Sequence, residues 1–338
     1  MATMKDVARR AGVSIATVSA TISGSAYVSP ELKARVQAAI EELGYARNSM
    51  ASGLKRGTSS LIGLIVPDIT NPFFTEFVHS IQRRAREVGL TVLLGCSDDD
   101  EAREIDLLKL MRSHQAAGTI ICPTGGDEAC RRLAALRDRM HLVAVDNAPD
   151  DMGVDTVVLD NRKAVDMAVT HILSFGHERV ATVSGPPSRF VSRERHDGFL
   201  DVMARNGIDV LPAHVRRGGF HVEQALAAGH ELLAGGDRPT AIFVANNHML
   251  IGIMQAVADM ELSVPHDISI AGIDDFPWAR AVVPALTTVR QPVDAMAEAA
   301  LTRLQARIEG DGEAPQRIIL DPELMVRRSC AAPAREMA

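Results

Sequence analysis

The sequence predicts a small helical head carried on a body of two doubly wound α/β lobes. Two patterns and a charge imbalance carry this reading. Residues 4–23 put Val7, Ala8 and Ala11 on one helical face, break at Gly12 and restart the apolar period at Val18 and Ile22. From Leu61 onward, short apolar runs alternate with amphipathic stretches, and the scheme runs twice. The first sixty residues hold eight Lys or Arg and four acids, a net of +4 on a chain whose net charge is −7.

Taken in order, Thr3 stands three residues before Asp6 in a capping-box arrangement, and Ser14 is placed to cap a second helix. Ser29-Pro30-Glu31 opens a third, whose stripe is Leu32, Val36, Ile40 and Leu43 and which Gly44 closes. Val7, Ala11, Val18, Leu32, Val36 and Ile40 are the expected core of this head. Two short helices meeting across a glycine turn are the mark of a helix-turn-helix, whose second helix enters the DNA major groove. A plain helical hairpin fits the turn equally well. A basic end on an acidic body favours phosphate binding by that end.

In the body, 61–66, 90–95, 118–122, 142–145 and 156–159 read as strands, with 73–88, 103–113 and 128–137 as helices between them. From 160 to 179 no element is given bounds, although Gly176, like Gly89 and Gly207, stands where a helix C-terminus wants a left-handed residue. The second round has strands at 180–184, 214–217, 241–245 and 268–273 and helices at 193–206, 222–233 and 249–261. The tail adds strands at 286–290, 317–320 and 325–327 and a helix at 293–308. Two such halves make two lobes more readily than one sheet.

Ligands of open α/β sheets bind beyond the carboxyl ends of the strands. The polar residues there are Asp68 and the Asn71-Pro-Phe-Phe74 run, Asp146, Asp160-Asn161, Asn246-Asn247 and Asp274-Asp275, with Arg193 and Arg195 beyond Ser184-Gly-Pro-Pro187. Carboxylates, amides and guanidinium forks suit vicinal hydroxyls, and Phe73 or Phe220 can cover an apolar sugar face, so a sugar-like polyol is the expected ligand. For Asp160 and Asp275 a helix cap or an ion pair between lobes is an equal alternative.

At 338 residues, 46% hydrophobic and 23% charged, the chain is long enough for two or three domains. No apolar run nears the roughly 20 residues of a membrane helix, and no signal-peptide core is evident, so a soluble cytoplasmic protein is expected. Cys96, Cys122, Cys130 and Cys330 show no ligand spacing, nor do the eleven histidines; buried thiols in a reducing compartment and no metal or other cofactor are expected. There is no Gly-x-Gly-x-x-Gly, no P-loop and no Gly-x-Ser-x-Gly, so no catalytic residue is assigned.

Whole phrases of the sequence resemble the lactose-repressor family of bacterial transcription regulators: Lys-Asp-Val-Ala-Arg-Arg-Ala-Gly-Val-Ser14, Thr17-Val18-Ser19, Val28-Ser29, Glu42-Leu43-Gly44-Tyr45, Asn48 and Ala51-x-x-Leu54. The resemblance continues through the body. It implies a dimeric repressor binding double-stranded operator DNA, with a periplasmic-binding-protein-like core whose cleft takes a small effector. It also implies a headpiece over 1–47, a hinge over 48–59 and a core over 60–338. Within that core the N-lobe would span 60–161 and about 291–321, and the C-lobe about 162–290 and 322–330. Asn48, Ala51 and Leu54 fall in the hinge, which in the family becomes helical on the operator, with the leucine as a minor-groove wedge.

The family reads bases from the positions of Ile15, Ala16 and Ala20, all apolar here. Thr3, Ser14, Thr17 and Ser19 are then left for polar contacts. Arg195, Phe220, Asn246 and Asp274 match positions that touch the effector, and Phe73, Asp146 and Gln291 match positions of more variable role. Asn247 stands where the family more often has Asp. The stretch 328–338 lacks leucine heptads, so a dimer without a tetramer-forming helix is expected.

Overall fold

A computed structural model describes residues 2–23, 26–45, 59–137, 140–150 and 152–334. The chain divides into two compact units, residues 1–58 and 59–338.

In the first unit, α1 (Met4–Ala11), α2 (Ile15–Ser23) and α3 (Pro30–Leu43) enclose Val7, Ala8, Ala11, Val18, Val36 and Ala39. The capping box is present: the Thr3 hydroxyl accepts from the Asp6 N–H, and the Thr3 N–H donates to the Asp6 carboxylate at 2.9 Å. Gly12 adopts φ 66°, and a Cβ there would lie 2.6 Å from the Arg35 guanidinium. That guanidinium donates to the Ala11 carbonyl at 2.7 Å, tying α3 to the end of α1. Leu32, expected in the core, is only half-buried. The buried stripe of α3 runs through Val36 and Ala39 instead, where a small residue lets the helices close up.

The second unit holds two six-stranded sheets. The first is built from β1 (Leu61–Val66), β2 (Thr91–Cys96), β3 (Gly118–Ile121), β4 (His141–Val145), β5 (Asp155–Leu159) and β11 (Arg317–Leu320), in the order β11-β5-β4-β3-β1-β2, all parallel. Helices α4 (Pro72–Glu87), α5 (Glu101–Ser113), α6 (Asp127–Ala134) and α11 (Val293–Ile308) cover its faces. Ile62, Leu64 and Val66 point to one face, Ile65 to the other, so each face has its own apolar cluster. Edge strand β2 is only partly covered, unlike its interior neighbours.

The second sheet contains β6 (Val180–Ser184), β7 (Val215–Arg217), β8 (Ala241–Val244), β9 (Ser269–Ile273), β10 (Thr287–Arg290) and β12 (Glu323–Met325), in the order β12-β10-β9-β8-β6-β7. Only the β10–β12 pair is antiparallel. Its helices are α7 (Asn161–Leu173), α8 (Phe190–Arg205), α9 (Val222–Ala234) and α10 (Asn247–Asp259).

Helix α7 fills the stretch left unassigned from sequence. Its buried stripe is Ala164, Val165, Ala168, Val169 and Ile172, and its alanines give weak hydropathy contrast. The chain passes between sheets three times: after β5 into α7, after β10 into α11, and between β11 and β12. This is the periplasmic-binding-protein-like arrangement.

One buried carboxylate fastens the returning tail. Asp155, 1% exposed, accepts from Arg307 at 2.6 Å, from Arg303 at 3.2 Å and from the Gln316 N–H at 2.8 Å. Burial pushes its pKa up, but Arg307, Gln316 and Arg303 together outweigh that and hold the carboxyl below its usual range. Asp155→Ala should cost about 3–5 kcal/mol, because the partly buried guanidinium of Arg307 loses its carboxylate partner and that of Arg303 is left with Asp311 alone. Its contribution is present above the ordinary carboxylate range and lost as pH falls through the depressed folded value. Urea midpoints at neutral and acid pH measure both effects.

Candidate functional site

On the headpiece, the outward residues of α2 are those the sequence points to. Ile15 is 45% exposed, Ala16 and Ser19 are exposed, and Thr17 and Ala20 are half-buried. The Ser14 hydroxyl accepts from the Thr17 N–H at 3.0 Å and meets the Thr17 hydroxyl at 2.9 Å. The Ser14 hydroxyl, like that of Thr3, is thus engaged in helix capping, and the Thr17 hydroxyl rests against it. Asn48, Ala51 and Leu54 lie outside the described residues.

The cleft between the sheets of the second unit is lined by Asp68, Asn71, Phe73, Phe74, Asp99 and Asp146 from the first lobe. Arg189, Val191, Arg195, Phe220, His221, Asn246, His248 and Asp274 line it from the second, and Gln291 from a crossing segment. Of the expected effector residues, Phe73, Asp146, Arg195, Phe220, Asn246, Asp274 and Gln291 are brought together here.

Each is positioned by a strand end or helix start. Asn71 caps α4 through the Phe73 N–H (3.0 Å), and Asn246 caps α10 through the Met249 N–H (2.9 Å). Arg195, 3% exposed, donates to the Asn161 side-chain oxygen (2.8 Å) and to the Ala245 carbonyl (2.6 Å). Asp274 accepts from the Gln291 amide (2.6 Å) and the Asn247 N–H (3.2 Å). The other amide atom, Gln291 Oε1, is buried without a partner among the described residues.

Asp146, Phe220 and Asp274 all sit at positive φ, of 66°, 69° and 77°. Asp99, at φ 59°, is a fourth lining residue of this kind, and strained backbone at four lining residues is concentrated where side chains must be aimed rather than packed. Phe220 lies against Gly185, where an added Cβ would come within 2.2 Å of its ring. Phe73 meets Phe74 edge-on, centroids 5.0 Å apart.

Arg193 is a correction. It does not line the cleft; its guanidinium grips both oxygens of Asp127 (2.6 and 2.7 Å) and the Ser188 carbonyl, making an ion pair between lobes. Arg189, four residues earlier and ahead of α8, takes the cleft position and pairs with Asp99 at 2.6 Å. Both arginines follow the same strand, and only their place relative to the helix start separates them.

Asp160 caps α7 through the Lys163 N–H, and Asp275 is held by Thr288, Arg290 and Arg327. Asp160 is thus a helix cap, whereas the ion pairs of Asp275 lie within the second lobe rather than between lobes. Asp99, His221 and His248 are missed by the sequence reading: Asp99 lies in the turn three residues past β2, His221 in the loop just ahead of α9, and His248 in the first turn of α10, one residue beyond the Asn246-Asn247 pair. Cys96 is half-buried rather than buried, and all four cysteines are free. Among the described residues no group of three or more His, Cys, Asp or Glu could hold a metal ion. No helix there is long and apolar enough to cross a membrane.

Comparison with known proteins gives a consistent picture. Residues 3–48 match the model of bacterial regulatory proteins of the lacI family, and residues 169–330 match that of the periplasmic binding protein-like domain. The chain is 35% identical to the ribose operon repressor of Escherichia coli (strain K12), over 97% of this chain and 100% of that one. It is 32% identical to the HTH-type transcriptional repressor PurR of Photobacterium profundum, over 97% and 98%. Among solved structures it is similar to the lac repressor dimer bound to operator and the anti-inducer ONPF, with TM-score 0.88, 26% identity and coverage of 98% and 99%. It is also similar to a complex of the regulator CelR with cellobiose, with TM-score 0.73, 27% identity and coverage of 97% and 100%.

Burial pushes Asp146 up to about 6; Arg195 and Arg189 oppose the shift and Asp274 adds to it. A carboxyl raised in this way favours folding while protonated, and that benefit is lost as pH rises through about 6. Buried Glu104, which accepts from the Thr124 N–H at 2.7 Å, is pushed up to about 7 by burial and acts in the same direction. Asp146→Asn should therefore stabilise the protein without effector by about 1–2 kcal/mol more near pH 8 than near pH 4, most of the difference arising between pH 4 and pH 6, Glu104 being common to both proteins. Urea denaturation at the two pH values tests this.

Proposed function

The chain belongs to the lactose-repressor family of bacterial regulatory proteins, and from that premise we propose that its cleft takes a monosaccharide that sets the affinity of a headpiece dimer for operator DNA. The observation that carries the choice of ligand is the supply of aimed but unspent polar atoms between phenyl faces. Gln291 Oε1 is buried and unpaired among the described residues, Asp146 is desolvated, and Arg195 is held rigid, with Phe73 and Phe220 alongside. Donors and acceptors in mixed pairs with apolar faces are what a ring bearing vicinal hydroxyls requires. The similarity to a ribose operon repressor supports the same class.

We assign effector contacts to Phe73, Asp146, Arg189, Arg195, Phe220, Asn246, Asp274 and Gln291. The functional division is a headpiece over 1–47, a hinge over 48–59 and an effector core over 60–338. Effector closing the cleft changes the separation of the two first lobes in a homodimer, and with it the fit of two headpieces to two half-sites. On the DNA side, Ile15, Ala16 and Ala20 offer contacts to thymine methyls, and Thr17 and Ser19 polar ones. Leu54 is the proposed minor-groove wedge, with Asn48 and Ala51 beside it. The protein acts in the cytoplasm, with the chromosome, and no catalysis is assigned to it.

A thermal-shift panel of pentoses, hexoses, sugar phosphates and purine bases tests the ligand. A cognate sugar at 100 times its Kd should add about 2.7 kcal/mol of stability. Arg195→Ala and Asp274→Ala should abolish that shift while retaining DNA binding. A shift with a purine base alone would overturn the class.

In a selected-site experiment, positions facing Ile15, Ala16 and Ala20 should favour A·T pairs and require no guanine. A strictly required guanine there would contradict the apolar reading.

A further inference from the structure

The two lobes are joined across the cleft by the chain's own polar groups. Arg189 pairs with Asp99 and Arg193 with Asp127. Two further links are uncharged: the Val191 N–H donates to Asn147 Oδ1 at 3.4 Å, and Asn247 Nδ2 donates to Asn71 Oδ1 at the shorter distance of 2.8 Å, between two buried side chains.

The polarity of this bond is fixed from both ends. Asn71 Oδ1 already accepts from the Phe73 N–H, as the cap of α4 must, so the group facing it has to be a donor. Asn247 Oδ1 accepts from the His248 N–H at 2.7 Å, which turns its amide nitrogen toward Asn71. The Asn247 N–H donates to Asp274, whose other oxygen takes the Gln291 amide on the crossing from β10 to α11. A continuous string of hydrogen bonds thus runs from the first lobe's helix cap to the segment that links the lobes.

We propose that Asn247 is a positioning residue that holds the lobes together through Asn71 with no effector present, so that part of the closure of the cleft is supplied by the chain itself. An aspartate at 247 would set acceptor against acceptor at Asn71 and add a carboxylate beside Asp274. An aspartate at 71 would keep both the cap and the acceptor. The pair is therefore asymmetric: acid is tolerated on one side only. The proposal deepens the reading of the cleft as the regulated site and rests on it for its regulatory meaning, but the bond itself can be tested without any ligand.

Trp278 is the protein's one tryptophan, against Phe276 with centroids 3.6 Å apart and the rings tilted by 31°. It lines the same crevice as Asn247, opposite Thr75, Glu76 and His79 of α4. Acrylamide quenching of its fluorescence, in the full chain without effector, reports separation of the lobes at this point. Asn247→Asp should raise the quenching constant about twofold or more, and Asn71→Ala, which removes the acceptor from the other lobe, should do the same. Asn71→Asp should leave it at the wild-type value. If Asn247→Asp fails to fold by far-ultraviolet circular dichroism, the contrast between Asn71→Ala and Asn71→Asp carries the test alone. Wild-type quenching in Asn247→Asp or Asn71→Ala, or an Asn71→Asp protein that opens as they do, overturns the proposal. Since no sugar enters the measurement, its failure is distinct from failure of the effector panel.

Discussion

The desolvated guanidinium of Arg195 is the group around which the cleft is built. A cation this deeply buried is tolerated only with its donors satisfied and counter-charge nearby. Its hydrogen bonds go to Asn161, at the first crossing, and to the carbonyl that ends β8. Counter-charge comes from Asp146 of the first lobe, whose ionisation it favours against burial, while Asp274 of the second lobe works against that ionisation. The balance of charge in the cleft is therefore shared between lobes, and any motion that separates them changes what Arg195 and Asp146 cost each other.

The same logic explains where the backbone is strained. Asp146, Phe220 and Asp274 hold left-handed conformations that their side chains disfavour, and each follows a strand or turn that packing fixes. The cost falls on residues whose direction matters more than their stability. The headpiece shows the opposite economy: its hydroxyls at positions 3 and 14 are used to cap helix starts, leaving Ile15 and Ala16 exposed on α2 with Ser19 as the exposed hydroxyl beside them.

Most of the architecture is legible in the sequence because the signals are apolar periods bounded by turn residues. Strands β1, β3, β6, β8 and β9 stand out as continuous runs buried on both faces. Helix α7 does not, since alanines make much of its buried stripe, and Leu32 is over-weighted because residue type does not tell which part of a helix faces its neighbour. In the cleft, residues directly after strands are found from topology. Arg189 and Arg193 cannot be told apart in this way, because one turn of α8 decides which guanidinium reaches the cleft and which reaches Asp127. His221 meets Asp99, and His248 meets Asp68, only when the lobes come together, a relation no local pattern encodes.

The last fifth of the chain supplies β11 to the first sheet and β10 and β12 to the second, with α11 packed on the first between them. During synthesis, then, neither sheet can acquire its full complement of strands until the final segment has left the ribosome. The two lobes must mature almost together, each with an unpaired edge exposed until that moment. Truncation near the C-terminus should for this reason damage both halves of the protein at once.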